Sequence, residues 1–476
     1  MSEGVMRLRR DGTYSICKSP EDRVGKGKCC HINDKNIITA YHIAEKIEER
    51  GGTVYYVGGF VRDSIIHKPN KDVDIEIHNI EPQEVKEVLS EFGTVESQGA
   101  AFGVYNIHGY DIDIAQPRTE KSTGGGYTDF EVNVDPYIGV EKAAKRRDFT
   151  INAIMKNART GEIVDPFNGQ KDLKDGIIRH VNDDAFNEDP LRVLRAAQFA
   201  ARFGFKIAPE TKKLMKKSDV SKLSKERVWL ETEKALLKSK KPSIFFETLR
   251  ETDQLDHWFP ELKALIGSEQ SKKHHPEGDV WTHTMKVLDS AAKERDKSSD
   301  PESFMLAALC HDLGKPKSQT IDEKGIIHNY GHENTGQEVA EDFLNRINPN
   351  VKTKKYVKNM IKLHMRAHTL AQNNSKVAKT NQLFDESICP RDLCLIAKVD
   401  KHKRKESQAE YKFLSERCQI YEDRMKEPQV MGRDLVDLGL KPGKEFSDIL
   451  KDAHKQHLSG VDKKAVLKGI RTKYVK

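Results

Sequence analysis

The stretch that decides the fold is Val57-Gly58-Gly59-Phe60-Val61-Arg62-Asp63, followed shortly by Asp72-Val73-Asp74. The apolar run Val54-Tyr55-Tyr56-Val57 leads into the two glycines and predicts a strand. Because glycine lacks a Cβ, the backbone there can approach a phosphate closely, and Arg62 can neutralise its charge. The stretch therefore predicts a phosphate-binding site directly after a strand.

Acidic and apolar residues alternate in the second part of this stretch. If Val73, Ile75 and Ile77 face the core of a strand, the residues between them share the opposite face. Those residues are Asp72, Asp74 and Glu76. Paired carboxylates on a rigid strand can hold the divalent ions that bridge a triphosphate and an attacking hydroxyl. The pattern predicts a two-metal site for phosphoryl transfer.

Length and composition bound the remaining possibilities. A chain of 476 residues is too long for one core, and about three domains are expected. With 37% hydrophobic and 33% charged residues, and no apolar run of about 18, we expect no membrane partner. Seven scattered cysteines and a polar N-terminus favour a cytoplasmic location. The net charge of +7 permits an RNA partner.

Strand-like and helical segments occupy different parts of the chain. Strand-like runs recur at 54–57, 73–77, 103–107 and 111–115, and a helical segment at 82–92 lies between them. After about residue 183 helical patterns follow, including 189–203, 209–217, 225–238 and 243–252. A glycine-rich segment at 119–127 predicts a mobile loop. We expect an α+β fold, with a small head on a mixed β-sheet followed by all-α regions.

Two further clusters can complete the phosphoryl-transfer site. Asp111 and Asp113 share one face of the 111–115 run, so either could supply a third carboxylate beside Asp72 and Asp74. The block Lys145-Arg146-Arg147-Asp148-Phe149-Thr150-Ile151-Asn152 then sets cations, a carboxylate and a carboxamide around apolar residues. Arginines suit triphosphate oxygens, and Asp or Asn suits ribose hydroxyls.

A third block, Glu188-Asp189-Pro190-Leu191-Arg192-Val193-Leu194-Arg195, predicts a helix with Pro190 near its N-terminus. On one helix its acidic residues and arginines would form a single polar stripe. One interpretation is an intrahelical ladder of ion pairs. The other is base recognition, because a carboxylate can accept from the amino group of cytosine or adenine while an arginine donates to the ring nitrogen. Such a pair would reject uracil and guanine.

Together these blocks resemble the class II tRNA nucleotidyltransferases, the CCA-adding enzymes, and the related bacterial poly(A) polymerases. The matching stretches are 57–74, 118–127, 146–153, 165–169 and 188–204. The resemblance implies that Asp72 and Asp74 hold Mg²⁺ and that Asp113 is a further catalytic carboxylate. It implies attack of the tRNA 3′-hydroxyl on the α-phosphate of CTP or ATP, with release of pyrophosphate.

The resemblance also implies a set of nucleotide contacts. They are Gly58, Gly59, Arg62, Arg118, Arg146, Arg147, Asp148, Asn152, Asp189, Arg192 and Arg195. Among them, Asp189 and Arg192 would act as the amino-acid template for C or A. An A-adding enzyme or poly(A) polymerase shares all these motifs and stays an alternative, because specificity depends on the segment 119–135 and on the neck. The alternative from another class is a non-catalytic RNA-binding protein with a decayed site.

A second metal site is predicted downstream. The pair His311-Asp312 follows the apolar run Phe304–Leu309, and a buried charge requires a partner. With His283 upstream and Asp400 downstream, the pattern resembles the HD superfamily of metal-dependent phosphohydrolases. The resemblance implies that these four residues are metal ligands. His332 and His364 would be second-metal ligands or phosphate contacts. Lys315 and Lys317 lie nearby in the sequence and could hold phosphate or belong to a solvated face.

Mixed His and Asp ligation suits Mg, Mn, Ni or Co without selecting one. The pairing of both sites resembles the bacterial CCA-adding enzymes with an HD domain, which implies 2′,3′-cyclic phosphodiesterase, 2′-nucleotidase or phosphatase activity. We expect five regions: an extension at 1–34, a nucleotidyltransferase head at 35–182, a helical neck and body at 183–265, an all-α HD domain at 266–405, and C-terminal helices at 406–476. The expected partners are the tRNA 3′ acceptor end, CTP and ATP, and monomer or dimer stays open.

Overall fold

The structure, a computed structural model, describes residues 5–8, 14–17, 31–32, 35–68, 70, 72–97, 103–122, 130–271, 278–348, 350–401 and 405–475. The chain divides into two compact units, Met1–Leu223 and Ser224–Lys476. Each unit has its own secondary structure and its own core. The glycines at 124–126 of the expected mobile loop lie outside the described residues.

The first unit combines strands and helices. Its strands are β1 (Val5–Leu8), β2 (Tyr14–Cys17), β3 (His31–Ile32), β4 (Thr53–Tyr56), β5 (Val73–His78), β6 (Val95–Ser97), β7 (Val104–Ile107), β8 (Ile112–Ala115), β9 (Arg118–Ser122), β10 (Phe130–Val134), β11 (Met155–Asn157), β12 (Ile163–Val164), β13 (Ile177–Ile178) and β14 (Lys206–Ile207). Its helices are α1 (Lys35–Glu49), α2 (Gly58–Ile65), α3 (Pro82–Ser90), α4 (Val140–Lys145), α5 (Gly169–Asp175), α6 (Asp183–Glu188), α7 (Leu191–Phe203) and α8 (Pro209–Lys217).

Seven of these strands form one mixed sheet in the order β12-β11-β4-β5-β8-β7-β6. The strand β5 is central, antiparallel to β4 and parallel to β8. On β5 the apolar residues Val73, Ile75 and Ile77 are buried, because α1 packs against β4 and β5 on that side. The expected alternation on β5 is confirmed, and it leaves the acidic residues on the other face.

Most elements begin and end within two residues of their expected bounds. The helices α8 and α9 match the expected segments 209–217 and 225–238, and Pro209 lies in the first turn of α8, where its missing N–H costs nothing. The main difference concerns the expected loop at 119–127. Its first part is the strand β9, which pairs with β10 from Arg118↔Val134 to Ser122↔Phe130. Within the expected extension 1–34, three short strands form an antiparallel sheet in the order β2-β1-β3.

Among its described residues, the second unit is helical apart from one small hairpin. Its helices are α9 (Lys225–Lys238), α10 (Ser243–Glu251), α11 (Pro260–Lys263), α12 (Val280–Ala291), α13 (Pro301–Cys310), α14 (Lys315–Ser318), α15 (His332–Ile347), α16 (Val351–Gln372), α17 (Val377–Glu386), α18 (Pro390–Asp400), α19 (Lys405–Lys426), α20 (Gly432–Asp437), α21 (Glu445–Leu458) and α22 (Lys463–Tyr474). The hairpin strands are β15 (Thr320–Ile321) and β16 (Ile327–His328).

The helix α13 forms the centre of the second unit. Every residue from Ser303 to Cys310 is buried, and α13 packs against α12, α16 and α18. A helix that is apolar all round needs neighbours on every side. His311 and Asp312 follow directly after α13, so these two polar side chains lie in apolar surroundings.

Among the described helices, none is long and apolar enough to cross a membrane. The α+β fold class is confirmed.

Candidate active sites

Two carboxylates of the head lie side by side on the central sheet. Asp74 on β5 and Asp113 on β8 are directly paired in the parallel register. Asp113 and Asp111 are both exposed while Ile112 and Ile114 are buried, as alternation predicts. Burial, the charge of Asp113 and the charge of Asp72 raise the pKa of Asp74 to about 6. Like charges held this close favour a cation between them.

The two glycines form the first turn of α2. Gly58 has a φ of +63°, which favours glycine, and a Cβ there would lie 3.4 Å from Arg147 Nη1 and 3.5 Å from Asp74 Oδ2. The N-terminus of α2 therefore faces both a carboxylate and a guanidinium. Because the first N–H groups of a helix have no intrahelical partner, this end is suited to phosphate.

Arg146 and Arg147 are held by one buried carboxylate, Glu76. The Nη2 atoms of the two arginines donate to Glu76 Oε2 at 3.2 Å and 3.1 Å. His78 Nε2 lies 3.0 Å from Glu76 Oε1. Burial alone would raise the pKa of Glu76, but His78 and the arginines outweigh it and lower the pKa to about 2. Alternation in the sequence predicts that Glu76 lies on the acidic face of β5. It does not predict the two arginine partners, which lie 70 and 71 positions further along the chain.

A hydrogen-bonded chain joins four of the expected nucleotide contacts. Arg195 Nη2 lies 2.6 Å from Asp148 Oδ2. Asn152 Nδ2 donates to Asp148 Oδ1 at 2.9 Å, and Arg62 Nη1 donates to Asn152 Oδ1 at 2.6 Å. The side chains of Arg62, Asp148 and Asn152 are buried. The structure therefore brings together three separate sequence blocks.

The expected single stripe on one helix is wrong. Glu188 ends α6, whereas α7 begins at Leu191, because a residue that precedes proline disfavours the helical conformation. Asp189 is extended instead, and its Oδ1 accepts from the Leu191 N–H at 3.0 Å. Arg192 Nη2 donates to the backbone carbonyl of Arg146 at 2.7 Å. Glu188 and Asp189 therefore lie outside α7, and Arg192 and Arg195 of α7 contact the segment 146–148.

Arg118 is the first residue of β9, in the ribbon that β9 and β10 form apart from the main sheet. It lies just beyond Ala115, the last residue of β8. We use the name head site for Asp72, Asp74 and Asp113 together with the glycines and arginines described above.

In the second unit, Asp312 lies between two pairs of histidines. Its Oδ2 lies 3.1 Å from His311 Nε2 and 3.4 Å from His283 Nε2. Its Oδ1 lies 3.4 Å from His332 Nε2, and His364 belongs to the same ligand-sized group. All five side chains are buried. We call these residues and Asp400 the HD centre, in which Asp312 can ligate two ions, one through each oxygen.

The histidine tautomers support this interpretation. The Nδ1 atoms of His332 and His364 lie 2.8 Å and 2.6 Å from backbone carbonyls, which can only accept, so both Nδ1 atoms carry hydrogen. Their Nε2 atoms face each other at 3.3 Å. Burial and the nearby His311 and His332 lower the pKa of His364 to about 3, so this ring is neutral. The lone pair on Nε2 of this neutral ring is then available to a metal ion.

The pair His283 and His311 has more negative charge around it than the pair His332 and His364. His311 Nδ1 lies 2.8 Å from the Ala308 carbonyl, and His311 Nε2 lies 3.3 Å from His283 Nε2. Burial alone would lower the pKa of His311, but Asp312 and Asp400 raise it to about 10. Carboxylates that attract a proton so strongly also attract a cation. Lys315 is not a free phosphate contact, because it is buried with its Nζ 2.6 Å from Asp312 Oδ2.

Each carboxylate oxygen of Asp400 has a histidine neighbour, and one of these histidines was not expected. His283 Nε2 lies 2.9 Å from Asp400 Oδ1, and His368 Nε2 lies 2.8 Å from Asp400 Oδ2. His368 Nδ1 in turn lies 3.0 Å from Glu410 Oε2. The one sequence feature that marks His368 is its position one helical turn after His364.

Sequence relatives decide the family. The Multifunctional CCA protein of Actinobacillus pleuropneumoniae is 39% identical to this chain over 327 residues, which are 67% of this chain and 77% of that protein. This chain belongs to the multifunctional CCA protein family. Three domain models match it as well: the Poly A polymerase head domain at 54–179, the probable RNA and SrmB-binding site of polymerase A at 204–266, and the HD domain at 280–404.

Solved structures agree with this chain in fold. The Thermotoga maritima CCA-adding enzyme complexed with tRNA has a TM-score of 0.63 at 19% identity, covering 92% of this chain and 95% of its own. The Bacillus stearothermophilus CCA-adding enzyme in complex with CTP has a TM-score of 0.62 at 21% identity, covering 92% of this chain and 98% of its own. Identity this low shows the fold alone.

The donor sets of the two sites fit different metal ions. Every donor of the head site is a carboxylate oxygen, which suits a hard ion such as Mg²⁺. The HD centre combines imidazole nitrogens with Asp oxygens, which suits Mn²⁺, Ni²⁺ or Co²⁺ as well as Mg²⁺. The buried His and Asp groups of the HD centre are present as the family implies.

Proposed function

We propose that the head site builds or repairs the 3′-terminal CCA of tRNA from CTP and ATP, and that the HD centre hydrolyses phosphoesters. The chain is a CCA tRNA nucleotidyltransferase with an HD domain, and the proposal assigns residues to that activity. The observation that carries the assignment is the register of Asp74 and Asp113, beside the first turn of α2 and the arginine pair on Glu76.

At the head site Asp72, Asp74 and Asp113 would hold Mg²⁺. Bound there, Mg²⁺ supplies charge stabilisation along the line of attack on the α-phosphate. The N–H groups of the first α2 turn and Arg147 would bind the triphosphate, since both lie next to Gly58. Glu76 would hold the side chains of Arg146 and Arg147 in place. Little side-chain entropy would then be lost when the triphosphate binds.

Asp189 and Arg192 would select the base. They lie at the start of α7, where the backbone of Asp189 is extended and its carboxylate already accepts from Leu191. Asp148 and Asn152 would contact the ribose, positioned through Arg195 and Arg62. The acceptor end of tRNA would reach this site with its backbone bound mainly through shape and phosphate contacts. Arg118 would contact the nucleotide from the ribbon side.

At the HD centre a divalent ion would lie between His283, His311, Asp312 and Asp400, and a second would lie between Asp312, His332 and His364. Bound there, the metal supplies a nucleophilic water at neutral pH. Asp312 would belong to both sets of ligands. The expected substrates are 2′,3′-cyclic phosphates, 2′-nucleotides and simple phosphate esters, with Ni²⁺, Mn²⁺, Co²⁺ or Mg²⁺ as the ion.

We also propose the domain limits 35–182 for the head, 183–265 for the neck and body, and 266–405 for the HD domain, with 1–34 and 406–476 as flanking regions.

One assay tests the transferase assignment. A tRNA lacking its last three nucleotides is incubated with Mg²⁺ and with labelled CTP or ATP separately, and products are separated by length. Two-nucleotide extension with CTP alone is the expected result. Extension with ATP alone would instead identify an A-adding enzyme, and no extension with either nucleotide would refute the assignment.

A further inference from the structure

The two carboxylate oxygens of Asp400 have different neighbours. Its Oδ1 faces the HD centre, 2.9 Å from His283 Nε2 and 3.6 Å from His311 Nε2. Its Oδ2 lies 2.8 Å from His368 Nε2. A carboxylate held at one oxygen presents the other in a fixed direction, which is what a metal ligand requires.

His368 is itself held by a second carboxylate. Its Nδ1 lies 3.0 Å from Glu410 Oε2, and its side chain is 5% exposed. Carboxylates only accept, so both ring nitrogens donate and the ring carries a proton on each. His368 thus neutralises part of the charge that Asp400 brings into the interior.

Glu410 lies on α19, beyond the end of the HD domain match at residue 404. Its other oxygen pairs with Lys401, the residue after Asp400. Ser407, also on α19, donates through Oγ to the carbonyl of Lys398 at 2.9 Å. The first turns of α19 are therefore fastened to the end of α18, where Asp400 lies.

We propose that His368 and Glu410 are positioning residues of the HD centre, which hold Asp400 so that its Oδ1 points at the metal. The helix α16 then contributes both a ligand, His364, and a positioning residue one turn later. Likewise α19 completes the centre although it lies outside the HD domain match. The inference rests on metal binding at the HD centre, which the proposed function assigns.

Mn²⁺ binding to the full chain tests this inference. All proteins carry D72A and D74A, so that the head site contributes no ion, and Mn²⁺ is titrated and its free concentration measured by electron paramagnetic resonance. The variants are H368Q, E410Q and the double variant. The matched control is H454Q, because His454 Nε2 forms a similar pair with Asp385 Oδ2 at 2.9 Å, away from the HD centre. Thermal unfolding of each metal-free protein verifies that it is folded.

We expect H368Q and E410Q each to weaken Mn²⁺ binding about tenfold or more, with the double variant close to the weaker single one. H454Q should stay within about twofold of the parent. Binding unchanged in both single variants would overturn the inference while leaving metal binding itself intact. Loss of an ion in H368Q with no effect in E410Q would also overturn it, because His368 would then be a ligand. A parent that binds no Mn²⁺ would instead refute the proposed metal centre.

Discussion

Asp74 and Asp113 are register partners on the parallel strands β5 and β8. A parallel pair needs a crossover connection, and here it contains α3, β6 and β7, so 39 positions separate the two carboxylates along the chain. The sheet therefore holds both on one face with the spacing of adjacent strands. This pairing distinguishes Asp113 from Asp111, which the sequence left as equal candidates.

Replacing Asp113 tests that distinction. We expect D113N to lower kcat for nucleotide addition by about a hundredfold or more, because a carboxylate beside Asp74 is lost. D111N is the matched control, since Asp111 is also exposed and precedes the same strand. Single-turnover incorporation of CTP into tRNA measures both. Equal losses in D111N and D113N would contradict the assignment.

Glu76 should matter for nucleotide binding rather than for chemistry. In E76Q the charge that holds Arg146 and Arg147 is lost, so we expect KM for CTP and ATP to rise about tenfold with a smaller change in kcat. E96Q, which changes an exposed glutamate on β6, is the control. Steady-state kinetics at saturating tRNA gives both parameters. An unchanged KM would show that the arginines do not depend on Glu76.

Glu76 should also make the stability of the fold depend on pH. The pKa of Glu76 is about 2 in the fold against 4.5 for an unperturbed glutamate, so its ionised form stabilises the fold above pH 4.5. That contribution, at most about 3 kcal/mol, is lost as pH falls from 4.5 toward 2. We expect the stability difference between wild type and E76Q to shrink over this range. Hydrogen-exchange protection of the β5 amides measures it, and a difference that is constant with pH would contradict the ion-pair account.

Asp189 and Arg192 should govern which base is added. We expect R192A and D189A to lower the preference for CTP and ATP over UTP and GTP by about 10- to 100-fold, since a base-edge contact is worth about 1–3 kcal/mol. E188A is the control, because Glu188 is exposed and ends the preceding helix α6. Misincorporation is measured by kcat/KM for each nucleotide. A preference unchanged in both variants would exclude the template role.

Asp312 should be needed for both ions of the HD centre. We expect D312N to lose both, and H364A to lose the ion that His332 and His364 share while keeping the other. D385N is the control, because Asp385 pairs with a histidine elsewhere. Metal content per chain, in the background lacking Asp72 and Asp74, measures the stoichiometry. Two ions retained in D312N would rule out a shared carboxylate.

Local patterns of the sequence were sufficient for much of this arrangement. The alternation at Val73, Ile75 and Ile77 predicts the acidic face of β5, and the apolar run before His311 predicts a buried ligand pair. Contacts between distant segments carry no such pattern. Glu410 is one of several glutamates on a charged helix, and the packing of α19 against α16 and α18 brings it to His368.

Two expectations about secondary structure failed. Glu188 was placed on the same helix as Arg192, but Pro190 keeps Asp189 extended and the helix starts after it. The charged, glycine-rich segment after Arg118 lacks strand alternation, and its strand β9 is defined by pairing with β10 instead. A local steric effect of proline decided the first conformation, and pairing between two strands decided the second.

We propose that one metal centre of this chain forms phosphoester bonds and that a separate one breaks them. CCA addition to truncated tRNA and hydrolysis of bis(p-nitrophenyl) phosphate, both measured for the wild type, D74N and H311A, separate the two centres. We expect D74N to lose addition and keep hydrolysis, and H311A to keep addition and lose hydrolysis. Addition that survives in D74N, or hydrolysis that survives in H311A, would contradict it.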